Sequence, residues 1–245
     1  MLAALAERRP IDAPVALVVA HPDDETLAAG GSLHLMHRLV LVHVTDGAPR
    51  RLADAARAGF GSPAAYAAAR ADELDRALAL CGAAPVRIGL GIADQEATAS
   101  LPTLVTRLRD IFAAHAIEHV LTHAYEGGHP DHDAVALAVH RAGAQPLEFA
   151  GYHAAPQGGL TAGTFLAGDS QAERRITLCS QDLARKRAML ACFDTQREML
   201  AQFDPTIERF RPAPAYNFAR PPHAGRLLYE EWGWMTGAEW RQCAA

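Results

Sequence analysis

The 245-residue sequence is short of several things, and each absence closes off a class of protein. No stretch approaches the ~18–20 uninterrupted apolar residues of a membrane span, so no integral membrane segment is expected. The four cysteines, Cys81, Cys179, Cys192 and Cys243, form no Cys-x-x-Cys pair and no framework spacing, and read as packing thiols in a reducing compartment. Basic charge is not in excess: the formal net charge of -5 gives no electrostatic reason to expect nucleic acid or an anionic membrane surface. The short run Arg185-Lys186-Arg187 sits in a helical pattern and reads as a solvated helix face. There is no internal repeat and no low-complexity linker. The first ten residues carry their charges after a small apolar patch, the reverse of a secretory signal, so a cytoplasmic location is expected.

What is present is ordinary in bulk and unusual in placement. Half the residues are hydrophobic and about a fifth are charged, enough for one sizeable core. A single domain over 1–245 is expected, with a core at about 13–152 and a C-terminal extension at about 153–245. The run 15–20, rich in valine and next to Pro14, reads as a strand buried on both faces. It stops at His21-Pro22-Asp23-Asp24-Glu25, where clustered carboxylates repel one another unless a cation or a proton separates them.

Further strands are expected at 39–44, 86–90, 117–122 and 147–152, with one more at 173–179. Helices are expected at 25–37, 63–81, 101–115, 130–142 and 180–202. Ser62 and Ser180 read as caps, 48–61 as an active-site loop or broken helix, and the proline-rich 205–222 as irregular. The alternation predicts an α/β fold: a doubly wound, mostly parallel, Rossmann-like sheet of five or six strands, helices on both faces, and a helical or irregular C-terminal extension.

Acids and histidines follow each early strand: His21, Asp23 and Asp24 after the first, Asp46 after the second, Asp94 after the third, and His129, Asp131 and His132 after the fourth. In a parallel sheet these strand ends share one edge, where ligands bind. No Gly-x-Gly-x-x-Gly follows the first strand, which excludes a dinucleotide fingerprint, and Gly30-Gly31 comes a helix too late. Two imidazoles and one carboxylate drawn from the first and fourth loops would suit zinc, leaving a position for water and a free acid to take its proton.

Ala20-His21-Pro22-Asp23-Asp24-Glu25 together with His129-Pro130-Asp131-His132 resembles the PIG-L or LmbE-like family of zinc-dependent de-N-acetylases, which remove acetyl from N-acetylglucosamine units. The resemblance covers about 13–152. It implies one Zn2+ per chain on His21, Asp24 and His132, although Fe2+ fits the same ligand set. It also implies that Asp23 is the general base, that a protonated His129 faces the oxyanion, and that Arg70 (of Arg70-x-x-Glu73) and Asp94 contact the sugar. The implied partner is a small amino-sugar or glycoconjugate substrate, and a homo-oligomer remains open. Another amide, such as a sugar-thiol conjugate or longer acyl chain, is an alternative substrate, and a non-catalytic carbohydrate-binding protein is an alternative role.

Some members carry a tyrosine just before the second motif, where this chain has Gly127-Gly128, with Tyr125 slightly earlier. Outside the motifs, His123 reads as a supporting group near the site, Asp131 as a helix cap or an orienter of histidine, and Glu25 as a first-turn acid. Trp232 and Trp234 read as packing of the C-terminal segment, with a sugar-stacking platform as the sharper reading.

Overall fold

In a computed structural model, which describes residues 1–166 and 172–245, a short helix α1 (Leu2–Ala6) precedes the first strand, β1 (Val15–Val19). After β1 come α2 (Asp24–Ala29), β2 (Leu39–Pro49), α3 (Leu52–Arg57), α4 (Pro63–Leu78), β3 (Val86–Asp94) and α5 (Leu101–Ala114). Then follow β4 (His119–His123), α6 (Pro130–Arg141), β5 (Leu147–Phe149), β6 (Tyr152–Ala154), β7 (Leu160–Ala162), β8 (Arg174–Thr177) and α7 (Ser180–Leu190). The chain ends with α8 (Arg197–Leu200), β9 (Ile207–Pro212), α9 (Leu228–Glu231) and α10 (Gly237–Cys243).

Among the described residues the main sheet has seven strands in the order β3-β2-β1-β4-β5-β9-β8. The pairs from β3 through β5 are parallel, while β9 runs antiparallel to β5 and to β8. This is the doubly wound α/β architecture that the alternation predicts, with two antiparallel strands added at one edge.

Strand β1 lies at the centre, and all five of its residues are buried. Its side chains alternate between two cores, as a period of two requires. Val15, Leu17 and Val19 face one with Leu33, Leu74, Met189 and Phe210, while Ala16, Val18 and Ala20 face the other with Leu104, Leu108, Val135 and Trp240. Strand order reverses between β1 and β4, because β2 and β3 lie on one side and β5 on the other. A crevice opens at such a switch point, and the two polar motifs flank it.

The differences from the sequence reading have identifiable causes. Residues 207–212, expected to be irregular, form β9; its charges are matched inside the fold, Glu208 to Lys186, Arg209 to Glu173 and Arg211 to Glu148. Lys186 is accordingly not on a solvated face: it is 1% exposed and donates to Leu27 O and Glu208 Oε1 at 2.7 and 3.0 Å. The helix expected over 25–37 stops at Ala29. There the Gly31 N–H and the Ser32 hydroxyl donate to the two oxygens of Glu208, and a Cβ on Gly31 would lie 2.5 Å from Leu178. The helix expected over 180–202 is broken between α7 and α8, and Cys179 rather than Ser180 precedes it. Ser62 does cap α4, its Oγ accepting from the Ala65 N–H at 3.1 Å. No described helix is long and apolar enough to cross a membrane.

The Lys186–Glu208 pair ties the C-terminal third to the end of α2. Glu208→Ala leaves a buried ammonium without its counter-ion and is expected to cost ~3–5 kcal/mol of unfolding free energy in denaturant melts. A loss of about 1 kcal/mol or less, the size of a surface pair, would contradict this.

Candidate active site

Both motifs start where an apolar strand gives way to a helix, so their side chains emerge at the crevice from rigid elements. Asp23 is the residue that makes the first turn possible: its φ of 132°, which L side chains rarely adopt, swings the chain from β1 into α2. Three neighbours hold that conformation. Glu25 Oε2 accepts from the Asp23 N–H at 3.0 Å and lies 3.0 Å from His43 Nε2, while Arg70 Nη2 lies 3.2 Å from Asp23 Oδ2 and donates to Pro22 O at 2.6 Å. Burial pushes the Asp23 carboxyl up to about 8, against the pull of Arg70.

Side chains with metal-binding atoms fall into three overlapping groups: His21-His129-His132, His21-Asp94-His129-Asp131, and Asp24-His123-His132. Hydrogen bonding decides which atoms are free to ligate. His21 Nε2 lies 3.2 Å from Asp94 Oδ1 and 3.3 Å from Asp131 Oδ2, two acceptors, so in the neutral ring Nε2 carries the proton and the lone pair is on Nδ1. Burial opposes a charge on this ring, but Asp94, Asp131 and Asp24 outweigh it and raise its pKa well above the ordinary value, so a cation at Nδ1 must displace a proton. That Nδ1 sits 3.2 Å from His132 Nε2 and 3.4 Å from Asp24 Oδ2, and His132 Nε2 sits 3.4 Å from Asp24 Oδ1. Ligands at ~2.0–2.1 Å from a tetrahedral ion stand ~3.3 Å apart, close to each of these three spacings, with His21 and His132 facing different oxygens of Asp24.

The other two imidazoles are already used. His123 Nε2 accepts the Ala20 N–H at 3.0 Å, and its ring stacks on that of His132 at 4.0 Å. Burial and then His132 push it down to about 3, so it braces the site as a neutral ring. His129 precedes α6, and its Nδ1 accepts the Asp131 N–H at 3.1 Å, which leaves Nε2–H as a donor. Burial, followed by the neighbouring His21, holds His129 well below its ordinary pKa. The donor is therefore a neutral imidazole, not the imidazolium expected from the family pattern, as suits a ring at the positive end of a helix.

Burial would raise Asp24, but His132 and His123 beside it outweigh that and hold it well below the usual carboxylate range. Asp131 both anchors and orients: its carboxylate accepts from the Gln95 and Ala97 N–H groups at 2.7 and 3.0 Å while facing His21.

The crevice is a cavity of about 370 Å³, at the small end of the ~300–1,000 Å³ typical of ligand pockets. His21, Asp23, Asp24, His129 and His132 all line it, and so do Arg70 and Asp94. Arg70, however, is 3% exposed, and its guanidinium bonds run to Gly47 O, Pro22 O and Asp23. Asp94 Oδ1 faces His21 and, at 3.5 Å, His129 Nε2. Asp46 stays away from the other acids: β2 runs on to Pro49, and Asp46 pairs with Arg50 at 2.6 Å. Glu73 accepts from the Thr195 N–H and hydroxyl at 2.9 and 2.6 Å and so fixes the neighbouring Gln196 at the cavity wall.

Tyr125 does not reach the cavity; its hydroxyl donates to Arg220 O at 2.8 Å, and its ring packs on Trp240. Single aromatics from the last hundred residues do reach it. Trp234 stands edge-on to His129 at 4.8 Å, and Tyr152 stands edge-on to His132 at 5.1 Å. Neither position carries a spacing signal in the sequence, beyond the stacking reading available for Trp234.

Residues 16–143 match a family model described as PIG-L: GlcNAc-PI de-N-acetylase. No curated protein matches the chain. Among solved structures, the chain is similar to the A40926 pseudoaglycone deacetylase at 18% identity and TM-score 0.62, over 84% of this chain and 99% of that one. It is similar to N,N'-diacetylchitobiose deacetylase from Pyrococcus horikoshii at 17% identity and TM-score 0.53, over 82% and 84%. It is also similar to GalB, the 4-carboxy-2-hydroxymuconate hydratase from Pseudomonas putida, at 18% identity and TM-score 0.56, over 83% and 99%. At these identities the likeness is one of fold, and one of the three is a hydratase, so the fold alone does not decide which bond is broken.

The lone-pair assignment is open to direct titration with Zn2+. One ion per chain is expected in the wild type and none in Asp24→Ala or His132→Ala, while Asp131→Asn, acting through His21, should weaken binding ~10–100-fold. Unchanged affinity in Asp131→Asn would contradict the assignment.

Proposed function

Since the chain belongs to the PIG-L family of de-N-acetylases, we propose that it hydrolyses the acetamide of an N-acetylglucosamine-type sugar, releasing acetate and the free amine, in a crevice built by its two His/Asp motifs. The observation that carries this reading is the division of labour in the hydrogen bonds. His21 Nδ1, His132 Nε2 and Asp24 face one another, Asp24 Oδ2 also accepting the His21 backbone N–H at 2.8 Å, while Asp23 and the His129 Nε2–H are left over for proton and oxyanion work.

His21, Asp24 and His132 would hold a divalent cation, for which zinc suits the donor set, and such an ion would supply the positive charge that acidifies water and polarises the acyl oxygen. The remaining steps belong to protein groups. Asp23, fixed by Arg70 and by the Glu25 carboxylate, accepts the proton of the attacking water as its oxygen joins the carbonyl carbon. The same carboxyl returns that proton to nitrogen as the C–N bond breaks, so a neutral amine and acetic acid leave, the acid keeping the second proton of the water until it ionises to acetate in solution. The His129 Nε2–H donates to the carbonyl oxygen as that oxygen gains negative charge, when a fixed donor counts most.

Arg70, engaged with the Asp23 loop, is a positioning residue in this account. Asp94 keeps a free oxygen at the cavity for sugar hydroxyls while its other oxygen orients His21. The small cavity favours a short acyl group on one sugar ring, with the rest of a conjugate outside it.

The zinc-loaded protein is expected to release acetate from N-acetylglucosamine conjugates and to lose that activity to a chelator. Asp23→Asn should keep its ion and lose ~10²–10⁴-fold in kcat. A fully active Asp23→Asn enzyme would remove the base assignment. Hydration of a carboxy-hydroxymuconate without acetate release would replace the amide reading by a hydratase, and sugar binding with neither reaction would leave a binding protein.

A further inference from the structure

We propose that Trp234 is a stacking platform that makes the site selective for an amide carried on a saturated sugar ring over the same amide on an open chain; the proposal rests on the sugar-amide reading given above and deepens it. Three aromatic rings besides the histidines line the cavity among the described residues. Tyr66 and Tyr152 are buried in its wall, at 7% and 9% exposure, and Tyr66 is stacked on Phe60. Trp234 is only half-buried, so part of its indole stays open where it borders the cavity. A tryptophan needed for packing alone is disposed as Trp240 is, fully buried in the core.

The polar edge of the Trp234 indole is unspent as well. Trp240 donates its Nε1–H to Pro130 O, whereas the Trp234 Nε1–H has no partner among the described residues and is not sealed from solvent. Around His129 the two kinds of surface that suit a pyranose come together. The Trp234 ring stands 4.8 Å from the His129 ring, and Asp94 Oδ1 stands 3.5 Å from His129 Nε2. A carboxylate takes the hydroxyls at a sugar's edge, while the electron-rich face of an indole attracts the positively polarised C–H bonds of its apolar face. The ring that bears the amide is joined to the carbonyl carbon through a single nitrogen. A carbonyl oxygen bonded to the His129 Nε2–H therefore brings that ring beside both groups.

The loop that carries Trp234 is held in place before any sugar arrives. Glu230 is its clasp: one carboxylate oxygen accepts from the Leu227 N–H at 2.8 Å and the other from the Gly237 N–H at 2.6 Å, closing 227–237 around the tryptophan. Gly233, at φ 71°, makes a turn that a side chain would strain, and the Trp234 N–H donates to Tyr229 O at 3.0 Å. Trp232 braces the indole, its ring 4.7 Å away. The loop is fastened to the second motif itself, because the Leu228 N–H donates to Gly127 O at 2.9 Å and Leu227 packs where a Cβ on Gly127 would stand. A platform fixed in advance gives up little freedom when a ring lands on it.

The test compares wild type, Trp234→Phe, Trp234→Leu and Trp234→Ala, all zinc-loaded, on an N-acetylglucosamine conjugate and on N-acetylethanolamine, an open-chain amide with the same acetyl group. For the conjugate, KM should rise about tenfold in the Leu and Ala variants, the size of one aromatic contact, with kcat changing less than KM. Trp234→Phe should recover most of that loss. For the open-chain amide kcat/KM should be alike in all four proteins. A readout without turnover is calorimetric binding of glucosamine, which should weaken by a similar factor in the Leu and Ala variants. Trp234→Leu keeps an apolar side chain in place, so wild-type KM and glucosamine affinity in that variant would overturn the platform. A loss confined to kcat would overturn it by making Trp234 a support for His129. Activity gained on longer N-acyl groups at unchanged sugar KM would overturn it by placing Trp234 at the acyl group. If the wild type binds glucosamine through Trp234 yet releases no acetate, the platform stands and the amide reading falls. Acetate release that all three variants leave untouched does the reverse.

Discussion

The site depends on one imidazole being held in one tautomer. Asp94 and Asp131 both present acceptors to His21 Nε2, which forces the lone pair onto Nδ1 and aims it at Asp24 and His132. Without that constraint the crevice would be a tangle of histidines and acids with several equivalent ways to share protons. With it, each group has one task open to it. His123 is occupied by a backbone N–H, His129 has only a donor left, and Asp24 lies between two imidazoles. Asp131 reaches further still, because the same carboxylate pins the loop after β3 and so sets where Asp94 stands.

The C-terminal third is part of this arrangement, not an appendage to it. Buried polar links, costly unless fully matched, stitch it to the motif-bearing half: Lys186 to Glu208 and the end of α2, Glu73 to Thr195, and the Trp240 Nε1–H to Pro130 O at 3.0 Å. These links carry Tyr152, Gln196 and Trp234 to the cavity wall. The wall that a substrate meets is thus built partly by residues that lie outside the two motifs.

Much of this was legible in the sequence, because the information was local. The α/β alternation follows from apolar runs and helical periods, and the donor groups lie in two contiguous motifs at strand ends, so placing the strands places the motifs. Local patterns failed where tertiary partners decide. Asp46 and Asp94 look alike as acids after strands, but β2 extends past Asp46 and delivers it to Arg50. The charges of β9 disguised a strand because their partners are far away in sequence, and Lys186 looked solvated for the same reason. Tyr125 lies nearest the second motif in sequence and turns into the core, whereas Tyr152 arrives from another strand through the gap at Gly128. The hydrogen bonds that fix each histidine's tautomer, including the one that makes His129 a neutral donor, have no counterpart in residue spacing.

The most direct test of the account is an anomalous-scattering map at the zinc edge on crystals of the metal-loaded protein. The account predicts one ion bonded to His21 Nδ1, His132 Nε2 and Asp24 at ~2.0–2.2 Å, with His123 and His129 still bonded to backbone N–H groups. An ion bonded to His129 or His123, or to His21 through Nε2, would contradict it.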